Sequence, residues 1–197
     1  DMQQRLLAAI ADQAELAVET MHLVGERRSL ETRDPLTGLY NFRHLKEHAV
    51  LELARAARFS RHVTLVMIDV DDFTEVNQRV GREAADSLLR RFAERLRAEL
   101  RAVDLVCRYG ADEFLLVLPE TSENQAHAAL RRVLTVLGDV SAEVGGETIA
   151  LSASAGAAVY PEDGERIEEL VAKATTTMYA ARAGGRAGIG FYGSGTR

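Results

Sequence analysis

The sequence contains no tryptophan, three prolines and a single cysteine. One cysteine excludes an intrachain disulfide framework, which fits a reducing compartment. Cys107 lies in an apolar run, where a buried and unreactive thiol is expected. No stretch reaches the roughly 18 apolar residues of a membrane-spanning helix, and no signal-peptide pattern opens the chain. We therefore expect a soluble cytoplasmic domain, cut from a longer protein whose missing upstream region has room for a membrane anchor.

A basic surface is also missing. The formal net charge is -6, and the 24 Lys and Arg residues are interspersed with acids. Because nucleic-acid binding needs clustered positive charge, nucleic acid is a poor candidate partner, as is an anionic membrane. The apolar content of 47% and charged content of 27% are ordinary for a globular chain. They predict one full domain with a modest extra element.

That extra element is a helix over about residues 3–28. Apolar residues recur there at steps of three and four, on one narrow seam: Leu7, Ile10, Ala14, Ala17, Met21 and Val24. Such a seam is typical either of an amphipathic helix packed on its own domain or of a signalling and dimerising helix. We favour the second interpretation, because the stripe is narrow and a breaker with Pro35 and Gly38 follows it. Residues 1–31 are therefore predicted to be the end of an upstream sensory module, and residues 32–197 the main domain.

The main domain mixes helices and strands. Helices are predicted over about 42–59, 82–100, 122–137 and 166–183, and strands over about 63–70, 105–109, 113–119, 147–159 and 189–192. A short connection, Gly110-Ala111-Asp112, joins two of these strands in a hairpin. The order predicts an α+β fold, a sandwich of helices on a sheet that contains this hairpin.

Acidic residues follow two of the predicted strands. Asp69, Asp71 and Asp72 end the first, and Asp112 and Glu113 lie at the hairpin tip. If the two strands are neighbours, Asp69 and Asp112 face each other and share hard cations. Oxygen ligands without nearby Cys or His favour Mg²⁺ or Mn²⁺ over zinc. Alternatively, Asp71 or Asp72 caps the next turn, and Glu113 is a solvated strand residue.

Four separated segments resemble one family. They read "DPLTGLYN", "IDVDDFTEVNQRVGREAAD", "RAVDLVCRYGADEF" and "MYAARAGGR". In this order and spacing they resemble the GGDEF family, the diguanylate cyclases, over about residues 32–192. The resemblance implies the palm-like fold of nucleotidyl cyclases, with a mostly antiparallel central sheet flanked by helices. It also implies a homodimer that condenses two GTP into cyclic di-GMP and releases two pyrophosphates.

The same resemblance implies roles for the acids. Asp69 and Asp112 are similar to the metal carboxylates, with the backbone carbonyl of Val70 as a third ligand. The metals would bridge the triphosphate and acidify the ribose 3′-hydroxyl, and Glu113 would assist metal or proton handling.

Substrate contacts are implied as well. Asn77 and Asp86 match the positions that contact guanine, and Gly110 and Ala111 match the hairpin tip. Two groups match positions that contact phosphates: the turn with Phe73 and Thr74, through backbone N–H groups, and the side chains of Arg182 and Arg186. A carboxylate accepts from two guanine N–H groups together, whereas an amide serves the acceptors of the base. Without the family register, a turn asparagine, a surface aspartate and two arginines that complement a helix dipole would be equally ordinary.

A product site is implied upstream of the hairpin. Arg101 and Asp104 match the RxxD inhibitory motif that binds cyclic di-GMP, and Arg55 aligns with an arginine that contacts product from a neighbouring surface. The alternative is an exposed ion pair between residues three apart, which is worth under about 1 kcal/mol.

The chain departs from the family pattern at several positions: Ala111 for a glycine, Thr74 for a phosphate-binding lysine, Arg82 for a histidine, Thr175 for an aspartate, Ala187 for an asparagine, and Arg182 for a lysine. If the glycine serves to adopt a positive φ, alanine costs roughly 1 kcal/mol. If it serves close approach to the nucleotide, the methyl group misplaces reacting atoms. The alternative function is therefore a weak or inactive regulatory module that binds GTP or cyclic di-GMP. A cyclase that uses ATP is disfavoured by Asp86.

Overall fold

The computed structural model describes residues 32–144 and 146–193. The predicted helix over residues 3–28 lies outside the described residues. The strands are β1 (Tyr40–Asn41), β2 (Val63–Val70), β3 (Leu105–Arg108), β4 (Glu113–Pro119), β5 (Ser141–Val144), β6 (Glu147–Ala150), β7 (Ala153–Tyr160) and β8 (Ile189–Phe191). The helices are α1 (Phe42–Phe59), α2 (Phe73–Val80), α3 (Arg82–Glu99), α4 (Glu123–Leu137) and α5 (Ile167–Ala183). None of the helices in these ranges is long and apolar enough to cross a membrane.

A six-stranded sheet in the order β1-β3-β4-β2-β7-β8 organises the domain, and β5 and β6 form a separate hairpin. The central strand β2 pairs antiparallel with both β4 and β7, and all of its residues are buried. Strands β3 and β4 are also antiparallel, whereas β1 and β8 join the sheet edges in parallel. The prediction of a mostly antiparallel sheet flanked by helices is confirmed.

Helices cover both faces of the sheet, because the strands are apolar on both sides. On one face, α3 and α4 pack around Phe92 and Phe114, whose ring centroids lie 5.1 Å apart. On the other face, α1 and α5 enclose Leu45, Met67 and Met178. Cys107 is fully buried in this second cluster, and burial raises the pKa of its thiol to about 12. The expectation of a buried thiol is confirmed.

Three short elements were not predicted: β1, β5 and α2. Helix α2 buries only Val76, so it lacks the repeated apolar residues that indicate a helix. Its N-cap residue, Asp72, has φ 53° and makes no capping hydrogen bond through its side chain. Gly81, with φ 79°, then leads directly into α3. Of the turn that we expected over residues 71–74, Asp71 and Asp72 form a turn, and Phe73 and Thr74 are the first residues of this helix.

Candidate active site

The end of β2 and the tip of the β3–β4 hairpin meet at one edge of the sheet. Asp69 lies opposite Glu113 in the β2–β4 register. The next residue, Val70, donates its backbone N–H to the carbonyl oxygen of Asp112 at 3.1 Å. The expectation that the strand end and the hairpin tip are neighbours is therefore confirmed.

Asp69 is the most perturbed acid of this edge. Only 5% of the Asp69 surface is exposed. Burial first, and then the charge of Asp112, raise the pKa of Asp69 to about 6, although the nearby Arg182 opposes the shift. The Nη1 of Arg182 donates to Asp69 Oδ1 at 2.5 Å. A carboxyl group held between burial and opposing charges is typical of functional sites.

The groups at this edge that could bind a divalent cation are carboxylate and carbonyl oxygens. Within residues 32–144 and 146–193, no three His, Cys, Asp or Glu side chains are grouped so as to hold a metal ion by themselves. Mg²⁺, however, commonly uses one or two carboxylates together with waters and substrate phosphates. The oxygen donors of Asp69, Asp112 and the Val70 carbonyl fit that mode, and they would hold a divalent cation together with waters and phosphate oxygens.

Asp71 holds the backbone around the site together. It is buried, and its Oδ1 accepts from the hydroxyl of Ser154 on β7 at 2.8 Å. Its Oδ2 accepts from the backbone N–H of Ala187, after α5, at 3.1 Å. Two separate segments are thereby tied to the end of β2. The Asp71 side chain therefore links neighbouring segments instead of capping the next turn.

Asp72 faces the two arginines of the C-terminal segment. Its Oδ1 accepts from Arg182 Nη2 at 3.2 Å, and its Oδ2 lies 2.6 Å from Arg186 Nη2. Hydrogen bonds from Arg182 first, and then from Arg186, lower the pKa of Asp72. Carboxylates thus bind both guanidinium groups. Arg182 also lies in the last turn of α5, where a cation complements the helix dipole, so that alternative stays a prediction.

Gly110 and Ala111 lie at the hairpin tip. A Cβ at Gly110 would lie 2.5 Å from Oε2 of Glu113, whose side chain folds back over this residue. Neither Gly110 nor Ala111 has a positive φ, so alanine at position 111 causes no backbone strain. The Ala111 carbonyl accepts from Arg108 Nε at 3.2 Å. Of the two explanations for the usual glycine, only close approach to the nucleotide remains for Ala111.

The residues matched to guanine recognition lie on consecutive helices. Asn77 is exposed on α2, and Asp86 is half-buried on α3. The two helices join at Gly81, which donates its N–H to the Asn77 carbonyl at 2.9 Å. Thr74 is exposed in the first turn of α2, while Phe73 packs on the core. The guanine-reading roles of Asn77 and Asp86 stay predictions.

Arg101 and Asp104 form a braced turn rather than an exposed pair. Asp104 is buried and binds Nε and Nη2 of Arg101, with Nη2–Oδ1 at 2.8 Å. The pair lines a groove of about 400 Å³ against α4, where sequence reasoning missed two further charged residues, Glu99 and Arg132. Arg132 Nε donates to Glu99 Oε2 at 3.0 Å. Arg55 lies instead in a separate depression beside Pro119. The simple alternative of an exposed surface ion pair is wrong, because one partner is buried.

Sequence reasoning also missed Tyr179. It lies on α5, three residues before Arg182, and its hydroxyl donates to Glu113 Oε1 at 3.4 Å. The negative charge of Glu113 raises the pKa of Tyr179, which keeps the hydroxyl protonated. Helical spacing places residues three apart on one face, so its position in "MYAAR" was a usable signal.

The sheet order, the acids at adjoining strand ends and the two arginines define a palm-like domain of the nucleotidyl cyclase type. The family model described as "Diguanylate cyclase, GGDEF domain" matches residues 31–188. The chain therefore belongs to the GGDEF family, as the sequence motifs indicated.

Known proteins of several architectures contain similar domains. The chain is 31% identical over 171 residues to "Cyclic di-GMP phosphodiesterase NbdA" of Pseudomonas aeruginosa, covering 87% of this chain and 22% of that protein. It is 33% identical over 159 residues to "Response regulator PleD" of Caulobacter vibrioides, covering 80% of this chain and 35% of that protein. The chain thus spans between about a fifth and a third of these relatives. The crystal structure of the diguanylate cyclase SiaD with its activator SiaC, from Pseudomonas aeruginosa, superposes with a TM-score of 0.77 at 33% identity, covering 96% of this chain and 73% of SiaD.

Proposed function

We propose that this domain is a diguanylate cyclase that condenses two GTP molecules into cyclic di-GMP and releases two pyrophosphates. The observation that carries the proposal is the juxtaposition of Asp69 and Asp112 at adjoining strand ends. Family membership supports cyclic di-GMP chemistry, and Asp86 on α3 supplies an acceptor suited to the N–H groups of guanine. Because each domain offers one such edge, the active form is a homodimer.

The side chains have separate tasks in this proposal. Asp69, Asp112 and the Val70 carbonyl hold Mg²⁺ or Mn²⁺, which when bound would neutralise triphosphate charge and lower the pKa of the attacking hydroxyl. Glu113 lies at the hairpin tip, where it assists the metal or accepts the proton of the 3′-hydroxyl. Arg182 and Arg186 supply guanidinium N–H groups for the phosphates. Tyr179 orients Glu113 through its hydroxyl.

Product feedback belongs to the same proposal. The groove that Arg101, Asp104 and Arg132 line is large enough for part of a cyclic dinucleotide, and arginine forks bind phosphates and guanine edges. Calorimetry with cyclic di-GMP on Arg101→Ala tests this role, and unchanged product affinity would remove the site. Arg101 also braces buried Asp104, so the thermal stability of the variant must be measured alongside.

A regulatory module that binds GTP or cyclic di-GMP without turnover is the second candidate. It is favoured by Arg182, which occupies an oxygen of the metal carboxylate Asp69. Thr74 brings no charge to the phosphates, and Ala111 adds a methyl group at the tip. One relative of this chain is named a phosphodiesterase, so membership in the family does not by itself select synthesis.

Incubation with GTP and Mg²⁺, followed by nucleotide chromatography, separates the two candidates. We expect cyclic di-GMP from the parent and none from Asp112→Asn, which is a cleaner variant than Asp69→Asn because Asp69 also binds Arg182. Asp139→Asn, at an exposed acid after α4, is the matched control and should retain activity. A parent that binds GTP but forms no product supports the regulatory module.

A further inference from the structure

Asp72 occupies an unusual position for an aspartate at a helix start. It precedes α2 as the N-cap residue, yet its side chain makes no capping hydrogen bond. Its φ of 53° lies in the left-handed region, which is uncommon for residues with a Cβ. The carboxylate instead turns toward the end of α5, where it binds Arg182 of the last helical turn and Arg186 of the segment that follows. The side chain therefore serves this pairing rather than the helix.

The two arginines are the groups assigned to the phosphates. A carboxylate and a phosphate use the same guanidinium N–H groups, so the two anions compete when they approach one arginine. The Asp72 side chain is 40% exposed, and that of Arg186 is 69% exposed. An ion pair that open to water is weak and easily exchanged. Arg182, at 32% exposed, divides its donors among Asp69, Asp71 and Asp72.

The charges around Arg182 and Arg186 increase the effect of this competition on phosphate binding. Thr74, in the first turn of α2, brings no positive charge, so phosphate attraction depends on the two arginines. Asp69, Asp71, Asp112 and Glu113 add negative charge close by, which opposes a polyphosphate at short range.

We propose that Asp72 is an intramolecular stand-in for phosphate, which binds Arg182 and Arg186 when no nucleotide is present and lowers the affinity for polyphosphate. The incoming phosphates displace the carboxylate, taking Arg186 first because it is the more exposed arginine. Asp72 is thus a determinant of substrate affinity. This inference rests on the proposed function, because that proposal assigns the arginines to phosphate binding.

Removal of the carboxylate charge tests the inference. Asn tolerates a left-handed φ, so Asp72→Asn retains the backbone geometry. Binding of inorganic tripolyphosphate is measured by phosphorus NMR at low salt with EDTA present, so that no divalent cation takes part. We expect the affinity to rise roughly two- to fivefold, the equivalent of about one exposed ion pair.

Glu75→Gln is the matched control, since it removes one exposed acid from the first turn of the same helix. A gain confined to Asp72→Asn, and reduced when Arg186→Gln is added, supports the inference. An equal gain in Glu75→Gln would show general charge repulsion and overturn it. Unchanged or weaker binding by Asp72→Asn would also overturn it, since the carboxylate would then be absent from the competition or would align the arginines for phosphate.

The proposed function is read out separately, as cyclic di-GMP formed from GTP and Mg²⁺. If the parent makes no product while Asp72→Asn binds tripolyphosphate more tightly, synthesis fails and the competition stands. If the parent makes product while Asp72→Asn gains no affinity, the competition fails and synthesis stands.

Discussion

Ala187 adopts a φ of 56° and donates its backbone N–H to buried Asp71. An L residue with a Cβ is strained in this region by about 1 kcal/mol, whereas Asn tolerates it. We expect Ala187→Asn to raise the free energy of unfolding by about 0.5–1 kcal/mol, measured by urea denaturation. Ala183→Asn, in the last turn of α5, is the control and should lower stability slightly. Equal changes in both variants would contradict the strain argument.

The buried carboxyl of Asp69 makes stability depend on pH. Its pKa in the folded domain is about 6, raised from 3.8 mainly by burial and by Asp112. The folded state therefore holds this proton more tightly than the unfolded state. The resulting stabilisation is complete below pH about 4 and is lost as the pH rises through about 6.

Comparison with Asp69→Asn isolates this contribution. In EDTA, the stability of the parent relative to Asp69→Asn should fall by up to about 3 kcal/mol between pH 4 and pH 7, since each pKa unit corresponds to about 1.4 kcal/mol. Urea denaturation across that range gives the difference. If the stabilities of the two proteins changed equally with pH, the raised pKa of Asp69 would be contradicted.

Helix α5 approaches the sheet most closely at Gly156 of β7. A Cβ at this position would overlap the backbone of Met178 and Ala174, which no side-chain movement relieves. We expect Gly156→Ala to lower the free energy of unfolding by about 3 kcal/mol or more. It should also impair activity, because α5 carries Tyr179 and Arg182. Gly138→Ala, at a helical φ of -63° after α4, should change stability by under about 1 kcal/mol. Similar losses in both variants would refute this packing argument.

Elements with strong periodicity were predictable from the sequence, and the partners of charged residues were not. The bounds of α1 and β2 agree with the predictions, because apolar residues repeat through both. Helix α2 escaped prediction because Val76 is its single buried residue. The motifs also located the acids of the site. They did not indicate that Asp72 binds Arg182, 110 residues away. A motif identifies residues along the chain, whereas their contacts depend on how the chain folds.

At the scale of the whole molecule, the proposed cyclase reaction requires two identical half-sites to meet for each product. Specific activity should therefore rise with protein concentration until dimers are fully formed. Deletion of residues 1–28, which the sequence predicts to be a dimerising helix, should make this dependence steeper by lowering the effective concentration of the second half-site. Initial rates over a wide range of protein concentration, with sedimentation of the same samples, measure both effects. A constant rate per mole of protein in both forms would contradict assembly as a requirement.

The burial of Cys107 has a practical consequence for following that assembly. The chain has no other cysteine, and this thiol is inaccessible and fully protonated at neutral pH. A maleimide or nitroxide reagent would therefore leave the parent protein unmodified. One cysteine placed at an exposed position, such as Glu75, would take the probe selectively without prior removal of the native thiol. The distance between two such probes, one on each copy, would then report directly how the two half-sites come together when nucleotide is added.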